Sequence, residues 1–163
     1  MTHESILTFY SQDHHRLDHL LGTFQRLKAK DPNQALKTLH EFRAGLEQHM
    51  AWEESILFSE YDAKVQDSDR SLTEQLLAEH AEILNVLDRL EEKLAAPGSK
   101  TEAEETRLVK ALADHDRAEE IGLYAQLDHL LSNTERDEIF TKMKQAAWTE
   151  EDDKEARHGK SNG

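Results

Sequence analysis

Cysteine is absent from the chain. This rules out disulfides, thiolate metal ligands, iron–sulfur clusters and thiol nucleophiles together. The 163 residues include only two prolines and six glycines, and aromatic residues make up 6%. With a third of its residues charged and an abundance of Leu, Glu, Ala, Lys and Gln, the composition favours helix over sheet. No apolar run approaches the roughly 18 residues needed to cross a bilayer. The amino-terminal stretch has neither a basic nor an apolar segment, so no secretory signal is expected. Positive charge is also scarce: 34 acidic residues outnumber 20 basic ones, and the formal net charge is −14. Such a balance disfavours a nucleic-acid backbone or an anionic membrane surface as partner. The expectation is a soluble, cytoplasmic protein of one domain, large enough to bury a core.

Helix punctuation is legible along the chain. Asp31-Pro32-Asn33-Gln34 reads as N-cap, Pro at the first helical position and Gln at the third, so a first helix over 3–30 gives way there to a second. Ser71-Leu72-Thr73-Glu74 and Thr101-Glu102-Ala103-Glu104 have the form of capping boxes that open a third and a fourth helix. Ser132-Asn133-Thr134-Glu135 opens a shorter fifth, to Trp148. The fold expected is all-α: residues 1–148 form an up-down-up-down four-helix bundle plus a short carboxy-terminal helix, and 149–163 form a disordered tail.

The strongest signal is a repeat. His14, His49 and Glu53 reappear as His80, His115 and Glu119, each 66 positions downstream (14 to 80, 49 to 115, 53 to 119). The flanks follow: Glu54, Leu57, Phe58 and Asp62 match Glu120, Leu123, Tyr124 and Asp128, and Asp13-His14 matches Glu79-His80. Self-similarity at a fixed offset indicates one structural unit used twice, here a helical hairpin. All six residues interrupt apolar stripes in mid-helix, as His14 does among Leu7, Tyr10, Leu17, Leu21 and Phe24. A His and a Glu four residues apart lie about 40° apart around the axis and about 6 Å along it, so both reach one centre. Four imidazoles and two carboxylates, each carboxylate able to span ions roughly 3.5–4 Å apart, suit a two-metal site of Fe, Mn or Zn. The bland alternative is a set of His–Glu ion pairs in a core. Two carboxylates in an apolar bundle would then cost on the order of several kcal/mol each.

With these motifs the chain resembles the hemerythrin-like family, the HHE cation-binding domain. The stretches that carry the resemblance are Asp13-His14-His15-Arg16-Leu17-Asp18, His49-x3-Glu53-Glu54-x2-Leu57-Phe58, Glu79-His80-x2-Ile83 and His115-x3-Glu119-Glu120-x2-Leu123-Tyr124. The resemblance implies a non-heme di-iron centre. In it Glu53 and Glu119 bridge two iron ions, with an oxo or hydroxo bridge between them, and His14, His49, His80 and His115 are terminal ligands. The family's oxygen carriers have a fifth His one turn from the one on the third helix, where this chain has Leu76 and Leu84. That difference implies an additional open coordination position.

Other residues compete for these roles. His15 points about 100° away from His14, and the repeat selects His14. His19 falls on that flanking face, and His3, His40, His129 and His158 lie outside the repeat. Tyr10, one turn before His14, reads as a core aromatic or as a hydrogen-bond donor to a ligand at the centre. Glu54, Glu120 and Asp18 read as solvated residues or as partners that orient imidazole N–H groups. Gly122, one turn past Glu119, reads as room for a small molecule. The function expected is binding of, or reaction with, dioxygen, nitric oxide or a peroxide at the di-iron site. Iron storage, delivery or sensing without turnover is the alternative, and hydrolysis at a di-metal site ranks lower.

Overall fold

A computed structural model describes residues 4–66 and 71–159, and side chains within them to residue 146. Four antiparallel rods form the bundle. The first is α1 (Ile6–Leu27) and the third is α4 (Ser71–Ala95). The second rod is α2 (Pro32–Trp52), continued by a π-helical turn (Glu53–Leu57) into α3 (Phe58–Lys64). The fourth repeats that construction with α5 (Glu102–Ala118), a π-helical turn (Glu119–Tyr124) and α6 (Ala125–Leu130). A further helix, α7 (Asn133–Gly159), follows; it runs past Trp148 into the stretch read from sequence as tail, and residues 160–163 lie outside the described residues. The fold class read from the sequence holds: the described residues are all-α, without strands.

The rods begin where capping chemistry places them. Ser5 caps α1 by accepting the Thr8 N–H at 3.0 Å, so the helix starts later than the residue-3 boundary read from sequence. Asp31 accepts the Gln34 N–H at 3.2 Å ahead of Pro32. Ser132 and Glu135 form a reciprocal box, with N–H to carboxylate at 3.0 Å and N–H to hydroxyl at 3.1 Å. Thr101 departs from the expected box: its hydroxyl donates to the buried Glu105 carboxylate at 2.7 Å and leaves the helix N–H groups alone. Asp128, on α6, takes the Ile6 and Leu7 N–H groups at 2.8 and 2.9 Å, clasping the start of the first rod to the end of the fourth. Its counterpart Asp62 accepts the Thr73 hydroxyl at 2.8 Å at the start of the third rod, so the clasp is duplicated with everything else.

The apolar stripes meet in two separate plugs. One is mainly aliphatic and includes Leu17, Leu21, Leu46, Ile83, Leu87 and Leu112. The other is aromatic and includes Tyr10, Phe58, Tyr61, Tyr124, and Ile139 and Met143 from α7, which close that end of the bundle. Within the first plug α1 and α2 approach closely at Gly45, where an added Cβ would sit 2.8 Å from Leu17 Cδ2. Between the plugs lies a layer of buried polar side chains: His14, His49, Glu53, His80, His115 and Glu119. Two oily plugs and a polar layer between them set up everything that follows.

Candidate metal centre

The six repeated residues come together in that layer, each exposed by 4% or less. Glu53 and Glu119 are completely buried. They divide into two half-centres, one per hairpin. In the first, the rings of His14 and His49 are 4.8 Å apart; in the second, His80 and His115 are 4.7 Å apart. The carboxylates join the halves. Glu53 Oε1 lies 3.3 Å from His49 Nε2 and 3.5 Å from His80 Nε2. Glu119 Oε1 lies 3.3 Å from His14 Nε2 and 3.1 Å from His115 Nε2, and its Oε2 is 3.9 Å from His80 Nε2. His15, His19, His40 and His129 are exposed, and His3 lies outside the described residues. The repeat therefore selects the inward-facing histidine at 14–15, without any bulge in α1.

Three of the four imidazoles are oriented from behind by a carboxylate, and the acids placed there follow the repeat. Nδ1 of His49 donates to Asp13 at 2.8 Å, and Nδ1 of His80 to Glu54 at 2.8 Å. Nδ1 of His14 donates to Glu120 at 3.1 Å, while His115 Nδ1 stands 3.6 Å from Glu79, too far for a hydrogen bond. The acid preceding the histidine on the first helix of each hairpin faces its own hairpin, in hydrogen-bond contact for Asp13 and beyond it for Glu79. The acid following each buried Glu supports the other hairpin (Glu54, Glu120). A proton fixed on Nδ1 leaves the Nε2 lone pair aimed into the layer, the orientation a cation requires. Asp13 is itself anchored by Arg16 at 2.8 Å. Burial alone would raise the Asp13 carboxyl, but hydrogen bonds from His49 and Arg16 hold it below its ordinary value.

Do these groups suit a metal? Glu53 Oε1, both Glu119 oxygens and His80 Nε2 are buried with no hydrogen-bond partner among the described residues. Nitrogens and oxygens face one another at 3.1–3.9 Å without hydrogen-bond geometry. Buried polar atoms are rarely left this way, and a cation between them would satisfy all of them. Two groups of donor atoms each lie within 4.8 Å of one another: Glu53, His80, His115 and Glu119, and His14, His49 and Glu119. The buried His/Glu cluster thus fits a metal cation site.

Protons take the cation's role when protein groups alone are considered. Burial would depress His14 and His80, yet the surrounding carboxylates outweigh it and lift them to about 9 and about 10. Burial, reinforced by the Glu119 charge, pushes Glu53 up to about 7. Glu119 resists its own burial and is held low by Glu53 and the imidazoles around it. One carboxylate of the pair is easier to protonate than the other, as expected of two charges so close.

A residue that sequence reasoning missed completes the site. The Tyr124 hydroxyl donates to Glu53 Oε2 at 2.6 Å and lies 3.2 and 3.3 Å from the Nε2 atoms of His49 and His14. Five residues after Glu119, it would point well away in an α-helix, but the π-helical turn, with i→i+5 bonding, brings it back over the same face. Phe58 holds the equivalent place after Glu53 and lies over His80 at 5.7 Å, nearly parallel. The Phe58–Tyr124 match in the repeat was the available signal, differing by one hydroxyl. Tyr10 takes the core role: its hydroxyl bonds Met143 Sδ at 3.3 Å and its ring stacks on Tyr124 at 4.9 Å. Gly122 offers no room beside the centre, because a Cβ there would lie 3.3 Å from Leu72 Cδ2 in helix packing. Asp18 makes no orienting bond to an imidazole, and Leu76 sits in the aromatic plug. Asp116, unremarked in the sequence, stands 3.4 Å from His14 Nε2, where the first repeat has Met50.

No described helix is long and apolar enough to cross a membrane. Comparison with curated proteins and with solved structures finds no match. Comparison with protein families matches residues 5–127 to the hemerythrin HHE cation-binding domain. That span takes in both hairpins, both π-helical turns and all six residues of the buried layer, and the chain belongs to the hemerythrin HHE cation-binding family.

Proposed function

We propose that the protein is a non-heme di-iron protein that binds or reacts with a small ligand: dioxygen, nitric oxide or a peroxide. His14 and His49 would hold one iron and His80 and His115 the other, with the Glu53 and Glu119 carboxylates shared between the two. The observation that carries this reading is the placement of the two carboxylates. Each lies within 4 Å of imidazole nitrogens from both hairpins, as bridging groups must. Four nitrogens and two carboxylates without sulfur suit iron, with Mn or Zn as weaker candidates.

Iron held there would supply a redox-active Lewis acid able to take a small ligand. The chain's own groups do the rest. Asp13, Glu54 and Glu120 lock the imidazole orientations. The Tyr124 hydroxyl holds a proton on the first half-centre and fixes which Glu53 oxygen faces it. The two apolar plugs exclude bulk water, which strengthens every polar interaction in the layer.

The test is elemental analysis of the purified protein with a visible spectrum through reduction and re-exposure to air. Two irons per chain and a spectrum that changes with each cycle are expected. An iron-loaded protein whose spectrum ignores both treatments would sink the reading. A second reading, iron storage, delivery or sensing without turnover, draws support from the −14 charge, which gathers cations. Rapid exchange of bound iron with a chelator, together with spectral indifference to air, would favour it.

A further inference from the structure

One carboxylate at the edge of the buried layer has no counterpart in the repeat. Asp116 follows His115, whereas the residue after His49 is Met50, a thioether packed in the aliphatic plug. Asp116 Oδ1 stands 3.4 Å from His14 Nε2. The same nitrogen lies 3.3 Å from Glu119 Oε1 and 3.1 Å from His49 Nε2. Bonds of roughly 2.1 Å from one cation, set at right angles, put neighbouring donor atoms about 3 Å apart. Asp116 stands at the rim of the donor group of His14, His49 and Glu119, and rotation about its side-chain bonds carries an oxygen into it. The placement comes from one helix face. Asp116, Glu119 and Glu120 follow at i, i+3 and i+4, and all three meet His14 on α1. Glu120 takes the Nδ1 proton at 3.1 Å, which turns the Nε2 lone pair toward the other two. The Asp116 side chain is only 19% exposed, so its charge is largely withdrawn from water. Around His80 and His115 the arrangement is poorer. Among the described residues the carboxylates within 4 Å of either Nε2 are Glu53 and Glu119, both of which also face the first half.

We propose that Asp116 is a metal ligand private to the His14/His49 half, so that the two cation positions of the centre are chemically unlike. The inference rests on the two-metal reading above and deepens it. The first position then has two imidazoles, the shared carboxylates and one carboxylate of its own; the second has two imidazoles and the shared carboxylates. An extra anionic oxygen is a hard donor and favours the harder, more highly charged ion. The first position therefore holds iron more tightly than the second. An Asp116 that merely paired with a protonated His14 would not separate the two positions in this way.

The experiment is stepwise removal of iron from the iron-loaded protein by graded chelator, with iron counted and a Mössbauer spectrum taken at each step. Wild type should release its irons in two steps. Asp116→Asn should weaken the tighter step by more than about 10-fold, shift one of the two Mössbauer signals and leave the other in place. Asp116→Glu keeps a carboxylate but moves its oxygen, so it should retain the tighter step and shift the same signal. Asp114→Asn, at an exposed position bonded to Lys110, should change neither. Should Asp116→Asn fail to fold, the signal shift in Asp116→Glu carries the test. Weaker binding with both Mössbauer signals unmoved would make Asp116 a support for His14 and overturn its role as ligand. Release curves and spectra equal to wild type in both Asp116 variants would overturn it as well. Either result leaves the two-iron reading standing; a protein that takes up no iron overturns that reading, and this inference with it.

Discussion

A phenol stands over the half-centre built on His14 and His49, and a bare phenyl ring stands over the half built on His80 and His115. Tyr124 and Phe58 occupy equivalent places in the repeat, as do Asp116 and Met50, and in both pairs the oxygen-bearing member comes from the second copy and serves the first half-centre. The orienting carboxylates differ in the same direction: Asp13 holds His49 at 2.8 Å, whereas Glu79 stands 3.6 Å from His115. Duplication supplied two like frames, and the residues that differ put a phenol hydroxyl beside one half and a bare phenyl ring over the other. The six inward-facing residues record what the halves share; the residues that break the repeat record where they differ.

The comparison can be broken most severely by removing ligands. His80→Ala or His115→Ala should strip iron from the second half-centre and cut the total sharply, whereas His40→Ala, at an exposed position, should leave two irons per chain. Equal iron in all three proteins would dissolve the assignment. The bridges come next. Glu53→Gln should weaken the two-metal state more than the one-metal state, since a shared carboxylate loses its charge, and a count that stays at two would contradict this.

Smaller changes sharpen the contrast between halves. Asp13→Asn should lower metal affinity by about 10–100-fold in chelator competition. Glu79→Gln should do far less, because no hydrogen bond is lost; equal losses would mean that the two supports act alike. Tyr124→Phe should make the two iron environments converge in Mössbauer spectra, and should cost the metal-stripped protein about 1.5–3 kcal/mol through loss of a hydrogen bond to a carboxylate. Two environments that remain as distinct as before would remove Tyr124 as the source of the asymmetry.

The smallest expected effect is a pH trend in the metal-stripped protein. His14 and His80 titrate at about 9 and about 10 in the folded chain against an ordinary 6.5. Their protons are therefore held more tightly in the folded than in the unfolded state. That stabilisation is complete below about pH 6.5 and disappears as pH rises through 9 to 10. Bound metal displaces the same protons, so the gain in melting temperature on metal addition should widen across this window. A gap that narrows instead would show that the imidazoles are not proton-loaded in the stripped protein.

The fold was legible because long helical stripes and capping residues act locally. Leu7 to Phe24 repeats at helical spacing over several turns, and Asp31-Pro32 stops one rod and starts another. The six buried residues were legible for a different reason: two copies of one spacing are hard to reach by chance. The role of Tyr124, though not its place in the repeat, escaped notice because its direction depends on the π-helical turn, a backbone register that side-chain periodicity of 3.6 cannot express. Thr101 escaped for a related reason. Its box has the right residues, but Glu105, one turn further along the same helix and held by Lys28 from the end of α1 at 2.6 Å, takes the hydroxyl instead. The Lys28 contact that fixes this carboxylate joins residues far apart in the chain and leaves no mark on the local pattern.

The polar layer lies between two separate oily ends, and this sets how cations could leave and re-enter the site. Each end has its own packing and should keep it with the waist empty, so the bundle has no need to come apart for ions to depart or return. Demetallation and reloading should run as a reversible cycle at ordinary temperature, with slackening confined to the middle turns of the four rods. Amide exchange in the stripped protein should speed up around the buried histidines while the leucine-rich and tyrosine-rich ends stay protected.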